Sequence, residues 1–376
     1  MYPNRCRYAY RKDRYTLKIR QIYLKKRQIH LVKETMKVLL IFTGGTISMV
    51  RDPETGALHP ADLATFKAFV PELFTSHIHV DMLPFEPLVD SSDINPQSWK
   101  KMAHMVYDHY EDYDGFVILH GTDTMSYSAS ALSFMLENLS KPVVFTGSQL
   151  PVGVLRSDAK ENLLTAIEIA AAKDEEGKPV VPEVCLFMAD QLFRGNRTTK
   201  RNAEHFAAFN SYNYPALARA GVHIYYNTSL IHHPTAGQPL RLRDKTDCNV
   251  AILKLFPGIT ESVVHNILSA PGLRGVVLET YGAGNAPSCQ WLYDELHSAV
   301  ERGIVIVNKT QCNTGSVTMG QYAVSLNLMK AGVLSGYDIT TEALLTKMMY
   351  LLGEYPTDTE EVKRLLQIPL CGELTN

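Results

Sequence analysis

The sequence lacks the features that mark membrane-spanning or disulfide-stapled proteins. No apolar run approaches the roughly 20 residues that a helix needs to span a bilayer. The cysteines have none of the close spacings of a zinc site or a small disulfide framework, since they are scattered over Cys6, Cys185, Cys248, Cys289, Cys312 and Cys371. We therefore expect a soluble, cytoplasmic protein with reduced thiols.

Several common nucleotide-binding and catalytic motifs are also missing. The chain has no Gly-x-x-x-x-Gly-Lys-Ser/Thr loop for phosphate and no Gly-x-Gly-x-x-Gly fingerprint for a dinucleotide. It has no Gly-x-Ser-x-Gly elbow and no His-Glu-x-x-His, which argues against the commonest serine and zinc hydrolases. No motif requires a metal or organic cofactor, so a hydroxyl nucleophile would come from a threonine or serine in another kind of loop.

The distribution of charge divides the chain near Met36. Residues 1–35 carry 11 Lys and Arg against two acids, whereas the remainder carries 26 basic against 37 acidic residues. This +9 segment, with interleaved tyrosines, could contact nucleic acid, contact an anionic membrane or serve in targeting, but it lacks the apolar core of a secretory signal. Because a strand-like run follows Met36 at once, we predict that residues 1–35 are a disordered or dispensable extension.

From Met36 onward, short apolar runs alternate with segments of helical periodicity, which predicts an α/β fold. We expect a larger N-terminal domain, residues 36–220, with a mostly parallel sheet flanked by helices. A linker, 221–245, and a smaller flavodoxin-like α/β domain, 246–376, follow. The expected strands are 37–42, 115–119, 142–145, 184–188, 251–255, 275–278 and 304–307. The expected helices are 97–110, 124–139, 158–172, 261–268, 290–302 and 341–352.

Three strand ends in the first domain combine glycine with hydroxyl side chains: residues 43–46 (Thr-Gly-Gly-Thr), 120–124 (His-Gly-Thr-Asp-Thr) and 146–149 (Thr-Gly-Ser-Gln). Open α/β sheets bind ligands beyond the carboxyl ends of their strands. Glycine lets the backbone approach a ligand, and free N–H groups favour a carboxylate or an oxyanion. Each motif alone is commonly a turn or a helix cap. Together they predict a site for a small anionic molecule.

These motifs occur in order with Asp90-Ser91, Gly195–Lys200 (Gly-Asn-Arg-Thr-Thr-Lys), residues 281–287 (Tyr-Gly-Ala-Gly-Asn-Ala-Pro) and 372–375 (Gly-Glu-Leu-Thr). The set resembles the bacterial-type L-asparaginases, and their cytosolic type I branch in particular, over everything after Met36. The resemblance implies an amidohydrolase that converts L-asparagine to L-aspartate and ammonia through a threonine-bound β-aspartyl ester. Glutamine would be a minor second substrate, because one methylene changes binding by only about 1–3 kcal/mol.

The resemblance also implies roles for individual residues. Thr46 would be the nucleophile, in preference to Thr43, which ends a buried strand. Thr122 would be a second catalytic hydroxyl, linked through Asp123 to Lys200, and the loop amides of Gly45 and Thr122 are candidate oxyanion donors. Substrate would be bound by Asp90, Ser91, Thr122, Asp123 and, from a neighbouring subunit, Asn285.

Two positions depart from the family pattern. The loop after the nucleophile lacks the usual tyrosine at residues 54–60, so Tyr322 is the candidate for orienting Thr46. Glu279 occupies the position of an arginine that holds a second, allosteric asparagine in some relatives, so we do not predict cooperative activation.

The expected partners are L-asparagine and further copies of the chain, as a homodimer or homotetramer. No membrane or nucleic-acid partner is predicted. The alternatives are the amidase subunit of a glutamyl-tRNA amidotransferase, for which 35 residues are too few to build the extra domain, and a non-catalytic amino-acid-binding protein.

Overall fold

The computed structural model describes residues 35–51, 58–60, 66, 68–74, 77–235, 237–320 and 323–375. The basic extension therefore lies, except for Thr35, outside the described residues, as does Tyr322, and the predictions made for them stay predictions. Apart from Met36, all elements below belong to one compact unit, Lys37–Asn376.

The strands in chain order are β1 (Met36–Phe42), β2 (Met49–Arg51), β3 (Leu58–Pro60), β4 (Ile78–Pro84), β5 (Gly115–Leu119), β6 (Leu136–Glu137), β7 (Val143–Thr146), β8 (Val184–Met188), β9 (Gln191–Arg194), β10 (Thr199–Lys200), β11 (Phe209–Asn210), β12 (Ala218–Ala220), β13 (Ile224–Tyr226), β14 (Arg241–Leu242), β15 (Val250–Lys254), β16 (Gly275–Thr280), β17 (Val305–Thr310) and β18 (Leu334–Ser335). The α-helices are α1 (Pro96–Asp108), α2 (Met125–Met135), α3 (Ala159–Ala171), α4 (Glu261–Leu268), α5 (Gln290–Glu301), α6 (Ala323–Lys330), α7 (Thr341–Glu354) and α8 (Thr359–Leu366).

The large sheet has the order β13-β12-β9-β8-β7-β5-β1-β4 in the described part of the chain. Strands β1, β5, β7 and β8 pair in parallel, whereas β9, β12 and β13 continue the sheet in antiparallel fashion. The residues of β5, β7 and β8 are buried along the whole strand. Parallel strands covered on both faces read as continuous apolar runs, which is why the sequence predicted them. The predicted α/β class is confirmed.

Local sequence determines where helix α1 begins and which of its faces packs against the large sheet. Its cap residue Asn95 accepts hydrogen bonds from the backbone N–H groups of Gln97 (3.0 Å) and Ser98 (3.2 Å), and Pro96 occupies the first turn. The buried residues Trp99, Met102, Ala103 and Val106 recur at helical spacing and pack in the core of the large sheet.

Helix α2 ends earlier than the sequence predicted. The expected helix covered residues 124–139, but Leu136–Glu137 form β6 and pair with β14. Asn138 has a φ of 64°, the left-handed conformation that a right-handed helix cannot continue, and Arg243 Nε donates to Glu137 Oε2 at 2.7 Å. A pairing partner some hundred residues away in the chain decides this boundary.

The smaller sheet has the order β15-β16-β17-β18, with all neighbours parallel. Successive residues of β16 point to opposite faces: Val276 and Leu278 pack with α4 and α5, while Val277 packs with α7 and α8. Helices on both faces agree with the predicted smaller α/β domain. Strand β13 lies within the predicted linker 221–245 yet belongs to the large sheet, and the domain boundaries stay predictions.

None of the described helices combines the length and the apolarity needed to cross a membrane.

Candidate active site

The three glycine-containing loops follow three neighbouring parallel strands. The sheet order β7-β5-β1 brings their carboxyl ends to the same edge. The loops are tied to one another there: the backbone N–H of Thr43 donates to Leu119 O (3.1 Å), and the N–H of His120 donates to Thr146 O (2.9 Å). The predicted clustering of the loops is therefore present.

Close backbone packing explains the glycines. Gly45 has a φ of 82°, and a Cβ atom placed on it would lie 2.5 Å from the backbone nitrogen of Gly121. A Cβ on Gly121 would lie 2.4 Å from Ser91 Oγ. Only glycine allows the first loop, the second loop and the turn at Ser91 to approach this closely. Thr46 and Thr122 each directly follow one glycine of the touching pair, so both lie one residue from the same backbone contact.

Lys200 completes a hydrogen-bonded trio with the second loop. Its Nζ lies 2.8 Å from Thr122 Oγ1 and 2.7 Å from Asp123 Oδ1. The lysine side chain is 19% exposed and the Asp123 side chain is 65% exposed, so the trio lies at the edge of the protein interior. Lys200 reaches this position from β10, which pairs with β11. The sequence-predicted trio is brought together.

Gln149 is a contact of this trio to which sequence reasoning gave no role. Thr122 Oγ1 donates to Gln149 Oε1 at 3.2 Å, and Gln149 Nε2 donates to His205 O at 3.2 Å. The second bond orients the amide so that its oxygen faces Thr122. Sequence analysis had named residues 146–149 as a motif without assigning a role to Gln149. Its position in that loop was the signal that could have identified it.

The two threonines of the first loop differ in how deeply they are buried. Thr43 is buried, and its Oγ1 donates to Leu119 O at 2.6 Å. Thr46 is only partly buried and begins a short 3-10 helix, Thr46–Ser48, after Gly45. The Thr43 hydroxyl is thus committed to a structural bond, as the sequence-based preference for Thr46 implied.

Asp90 and Ser91 lie in a capping turn next to the second loop. The N–H and hydroxyl of Ser92 donate to Asp90 Oδ1 at 2.8 and 2.7 Å, and these bonds lower the pKa of the Asp90 carboxyl. Thr124 Oγ1 donates to Ser91 O at 2.6 Å, which ties the turn to residues 120–124. The helix-capping and substrate-binding readings of this pair are compatible, because the cap uses one carboxylate oxygen.

His120 supports the second loop from within the protein. Trp99 Nε1 donates to Ser128 Oγ (3.0 Å), which lies 2.9 Å from His120 Nε2, while His120 Nδ1 lies 2.6 Å from Gly121 O. Because a carbonyl oxygen only accepts, the proton is assigned to Nδ1 and Ser128 donates to Nε2. Burial lowers the pKa of His120 to about 4, so the ring is neutral at pH 7. Sequence reasoning did not single out this residue.

Among the described residues, one predicted site residue, Asn285, is not joined to the loops. Asn285 lies in a turn closed by the bond from Tyr281 N to Asn285 O (2.8 Å), and within the described ranges no hydrogen bond or ion pair connects it to the threonine loops. The resemblance assigns it to a neighbouring subunit's site, and this stays a prediction. Tyr322 lies outside the described residues.

A separate cavity of about 360 Å³ contains Glu279 together with Thr199, Lys309, Cys312 and Glu342. Thr199 Oγ1 donates to Glu342 Oε2 at 3.0 Å, and burial raises the pKa of the Glu342 carboxyl. Burial also lowers the pKa of Lys309. Over the residues that the structure covers, no group of three or more His, Cys, Asp or Glu side chains is placed to hold a metal ion.

Comparison with known proteins gives a consistent assignment. Residues 37–232 match the family model described as Asparaginase, N-terminal, and residues 249–366 match the Glutaminase/Asparaginase C-terminal domain. L-asparaginase 1 of Escherichia coli (strain K12) is 45% identical over 353 residues, which cover 90% of this chain and 98% of that protein. The 60 kDa lysophospholipase of Mus musculus is 42% identical over 362 residues, covering 90% of this chain and 62% of that protein.

The solved structure of L-asparaginase I from Vibrio cholerae superposes with a TM-score of 0.82 at 40% identity, covering 91% of this chain and 99% of that one. The matched family models, the near-complete overlap in length and the shared fold lead to one conclusion. The chain belongs to the asparaginase family.

Proposed function

We propose that this chain is a cytoplasmic L-asparaginase that hydrolyses L-asparagine to L-aspartate and ammonia. The observation that carries the proposal is the trio of Thr122, Asp123 and Lys200 beside the Gly45–Gly121 contact that leads to Thr46. The similarity to an L-asparaginase over almost the whole of both chains supports it. The same similarity supports cytoplasmic action, because the chain resembles the type I branch.

In the first half-reaction, Thr46 Oγ1 attacks the side-chain amide carbon of asparagine. The hydroxyl proton moves to the amide nitrogen and the C–N bond breaks. Ammonia is released, and a β-aspartyl ester remains on Thr46. The backbone N–H of Thr122 is the proposed donor to the developing oxyanion. One such donor commonly contributes about 3–4 kcal/mol to transition-state stabilisation.

In the second half-reaction, water attacks the ester carbonyl and the bond to Thr46 Oγ1 breaks. The water proton returns to Thr46 through the trio, in which Thr122 contacts the reacting centre and Lys200 exchanges the proton. Asp123 holds Lys200 at 2.7 Å, and Gln149 holds the Thr122 hydroxyl at 3.2 Å. The products of the whole reaction are ammonia, released in the first half-reaction, and L-aspartate, released in the second.

The α-ammonium and α-carboxylate of the substrate would be bound beside these groups. The hydrogen bonds that lower the pKa of Asp90 keep its carboxylate charged, which suits an ammonium partner. Asp123 and Ser91 supply a second acid and a hydroxyl. Asn285 would come from a neighbouring subunit, so the working enzyme is proposed to be a homodimer or homotetramer.

The test is ammonia release from L-asparagine and from L-glutamine by the wild type and by Thr46→Ala, Thr122→Val and Lys200→Met variants with unchanged circular dichroism. We expect asparagine to be preferred, glutamine to be turned over slowly, and each variant to lose at least about 1,000-fold in kcat/KM. A folded wild type that releases no ammonia from either amide would contradict the proposal.

A second substrate belongs in the same assay because a relative at 42% identity is named a lysophospholipase. Release of fatty acid from lysophosphatidylcholine measures that activity directly. We expect none, because Thr122, Asp123 and Lys200 form a compact polar group suited to a small zwitterion. Fatty-acid release that depends on Thr46 would instead show that lysophosphatidylcholine is a substrate.

A further inference from the structure

The carboxyl-terminal residues 371–375 are bound to the segment that precedes Lys200. Gly372 O accepts hydrogen bonds from Arg197 Nε (2.7 Å) and Arg194 Nη1 (3.3 Å). Arg197 Nη2 donates to Thr375 Oγ1 at 2.9 Å, and Asn196 Nδ2 donates to Cys371 O at 3.2 Å. Three residues of the segment 194–197 are thus held by a part of the chain about 175 residues away.

Asp338 joins the two sides of this contact. Its Oδ2 accepts from Arg197 Nη1 at 2.8 Å, and its Oδ1 accepts from the backbone N–H of Thr375 at 2.7 Å. The Arg197 side chain is 2% exposed and that of Asp338 is 11% exposed. Breaking a charge pair this deeply buried is strongly destabilising, because loss of either partner leaves the other desolvated and unpaired.

The carboxyl-terminal segment is itself anchored. Glu373 and Lys347 form an ion pair of 2.6 Å with both side chains fully buried, and Glu373 also accepts from the backbone N–H of Cys371 at 2.9 Å. Leu374 belongs to the buried core that includes residues of α7 and α8. The segment therefore offers an anchored surface against which residues 194–197 are held.

Only a short extended stretch separates this surface from the candidate active site. Thr198 is extended and Thr199–Lys200 form β10, so at about 3.3 Å per residue the α-carbon of Lys200 lies roughly 10 Å along the chain from Arg197. The Lys200 ammonium must then meet Thr122 and Asp123 at 2.8 and 2.7 Å. A displacement of about 1 Å in such a group can lower turnover about a hundredfold.

We propose that the carboxyl-terminal segment 371–375, through Asp338 and Arg197, is a positioning element that holds Lys200 in register with Thr122. Asp338, Arg197 and Thr375 are positioning residues, and none of them contacts the Thr122–Asp123–Lys200 trio. The proposal rests on the proposed function for its kinetic consequence. Its structural consequence, the immobilisation of Lys200, can be measured without any substrate.

The kinetic test compares Asp338→Asn with a matched control, Asp247→Asn. Asp247 also accepts from an arginine (Arg274 Nη1, 2.9 Å) and from a backbone N–H (Asn249, 2.9 Å), and its side chain is 16% exposed. We expect Asp338→Asn to lower kcat for asparagine about tenfold with KM changed by less than about twofold, and Asp247→Asn to change neither. If Asp338→Asn does not fold, Thr375→Val, at an exposed residue, is the milder second variant. We expect it to lower kcat about two- to threefold.

The substrate-free test measures the rate at which an amine-acetylating reagent labels Lys200 in the folded protein. The labelled protein is digested, and the peptide that contains Lys200 is quantified by mass spectrometry. We expect faster labelling of Lys200 in Asp338→Asn and Thr375→Val, and the wild-type rate in Asp247→Asn. Unchanged kcat and unchanged labelling in the folded variants would overturn the proposal, as would an equal effect in Asp247→Asn. A wild type without amidase activity would remove the proposed function, yet the labelling rates would still decide the positioning role.

Discussion

At the scale of single residues, burial decides which hydroxyls and rings are chemically available. Thr43 and Thr46 share one loop, yet the Thr43 hydroxyl is bound to Leu119 O at 2.6 Å inside the protein. His120 is close to the candidate site but is enclosed by Ser128 and Gly121. A residue type near a site is therefore not by itself a candidate for catalysis.

The contrast between the two threonines can be measured. Thr43→Val removes one buried hydrogen bond, so we expect the free energy of unfolding to fall by about 1 kcal/mol, with ammonia release retained. Thr46→Ala is the comparison variant, and we expect it to keep its stability and to lose ammonia release. Urea unfolding and the ammonia assay give both quantities, and a folded but inactive Thr43→Val protein would reverse the assignment of the nucleophile.

The buried ring of His120 predicts a dependence of stability on pH. Its folded pKa of about 4 lies below the ordinary value of 6.5, so between these values the unfolded chain binds more protons than the folded one. The stability contributed by the neutral ring is complete above about pH 6.5 and is lost progressively as the pH falls towards 4, by roughly 3 kcal/mol in total.

The free energy of unfolding measured in urea between pH 4 and 7 tests this expectation. His120→Gln introduces a side-chain amide that can form hydrogen bonds but does not titrate, so the stability of this variant should depend less steeply on pH across that window. Identical pH slopes for the wild type and His120→Gln would show that other groups cause the acid sensitivity.

At the scale of secondary-structure elements, local signals set most starts and distant partners set some ends. Helix α1 begins one residue from its predicted start because Asn95 and Pro96 are capping residues. Helix α2 ends early because Leu136–Glu137 pair with β14, a partner that helical periodicity does not reveal. Strands β12 and β13, at one end of the large sheet, were missed because they are only three residues long.

The Asn95 cap gives a prediction at this scale. Asn95→Ala removes the acceptor for the N–H groups of Gln97 and Ser98, so we expect the protein to lose about 1 kcal/mol of stability. Asn95→Asp retains an acceptor and should lose little. Unfolding in urea distinguishes the two variants, and an equal loss in both would mean that the side-chain cap is not what stabilises α1.

At the scale of the whole molecule, contacts between distant segments create the candidate site. Lys200 meets Thr122 across 78 residues of sequence, and Arg197 meets Gly372 across 175. Helix α7 packs against α2 of the first domain and against β16 of the smaller sheet, and the rings of Phe134 and Tyr350 stack at 6.0 Å. These contacts all lie within the unit Lys37–Asn376.

The charge division near Met36 predicts the behaviour of a shortened chain. Residues 1–35 hold 11 of the 37 Lys and Arg residues, whereas β1 and every residue of the candidate site lie beyond residue 35. We expect a chain that begins at Met36 to keep kcat for asparagine within about twofold and to unfold at the same urea concentration. A shortened chain that is folded but inactive would assign the basic extension a direct role in the site.

The sequence by itself determined the α/β class, the buried parallel strands, the amphipathic helices and the glycine loops, because each depends on residues adjacent in the chain or spaced by one helical or strand period. Its resemblance to a known family named the trio of Thr122, Asp123 and Lys200. Tertiary structure decided which hydroxyl of residues 43–46 is committed to the core, why His120 is neutral, how Gln149 orients Thr122, and that residues 371–375 bind Arg197. These outcomes depend on burial and on contacts between distant segments, and such contacts exist only once the chain has folded.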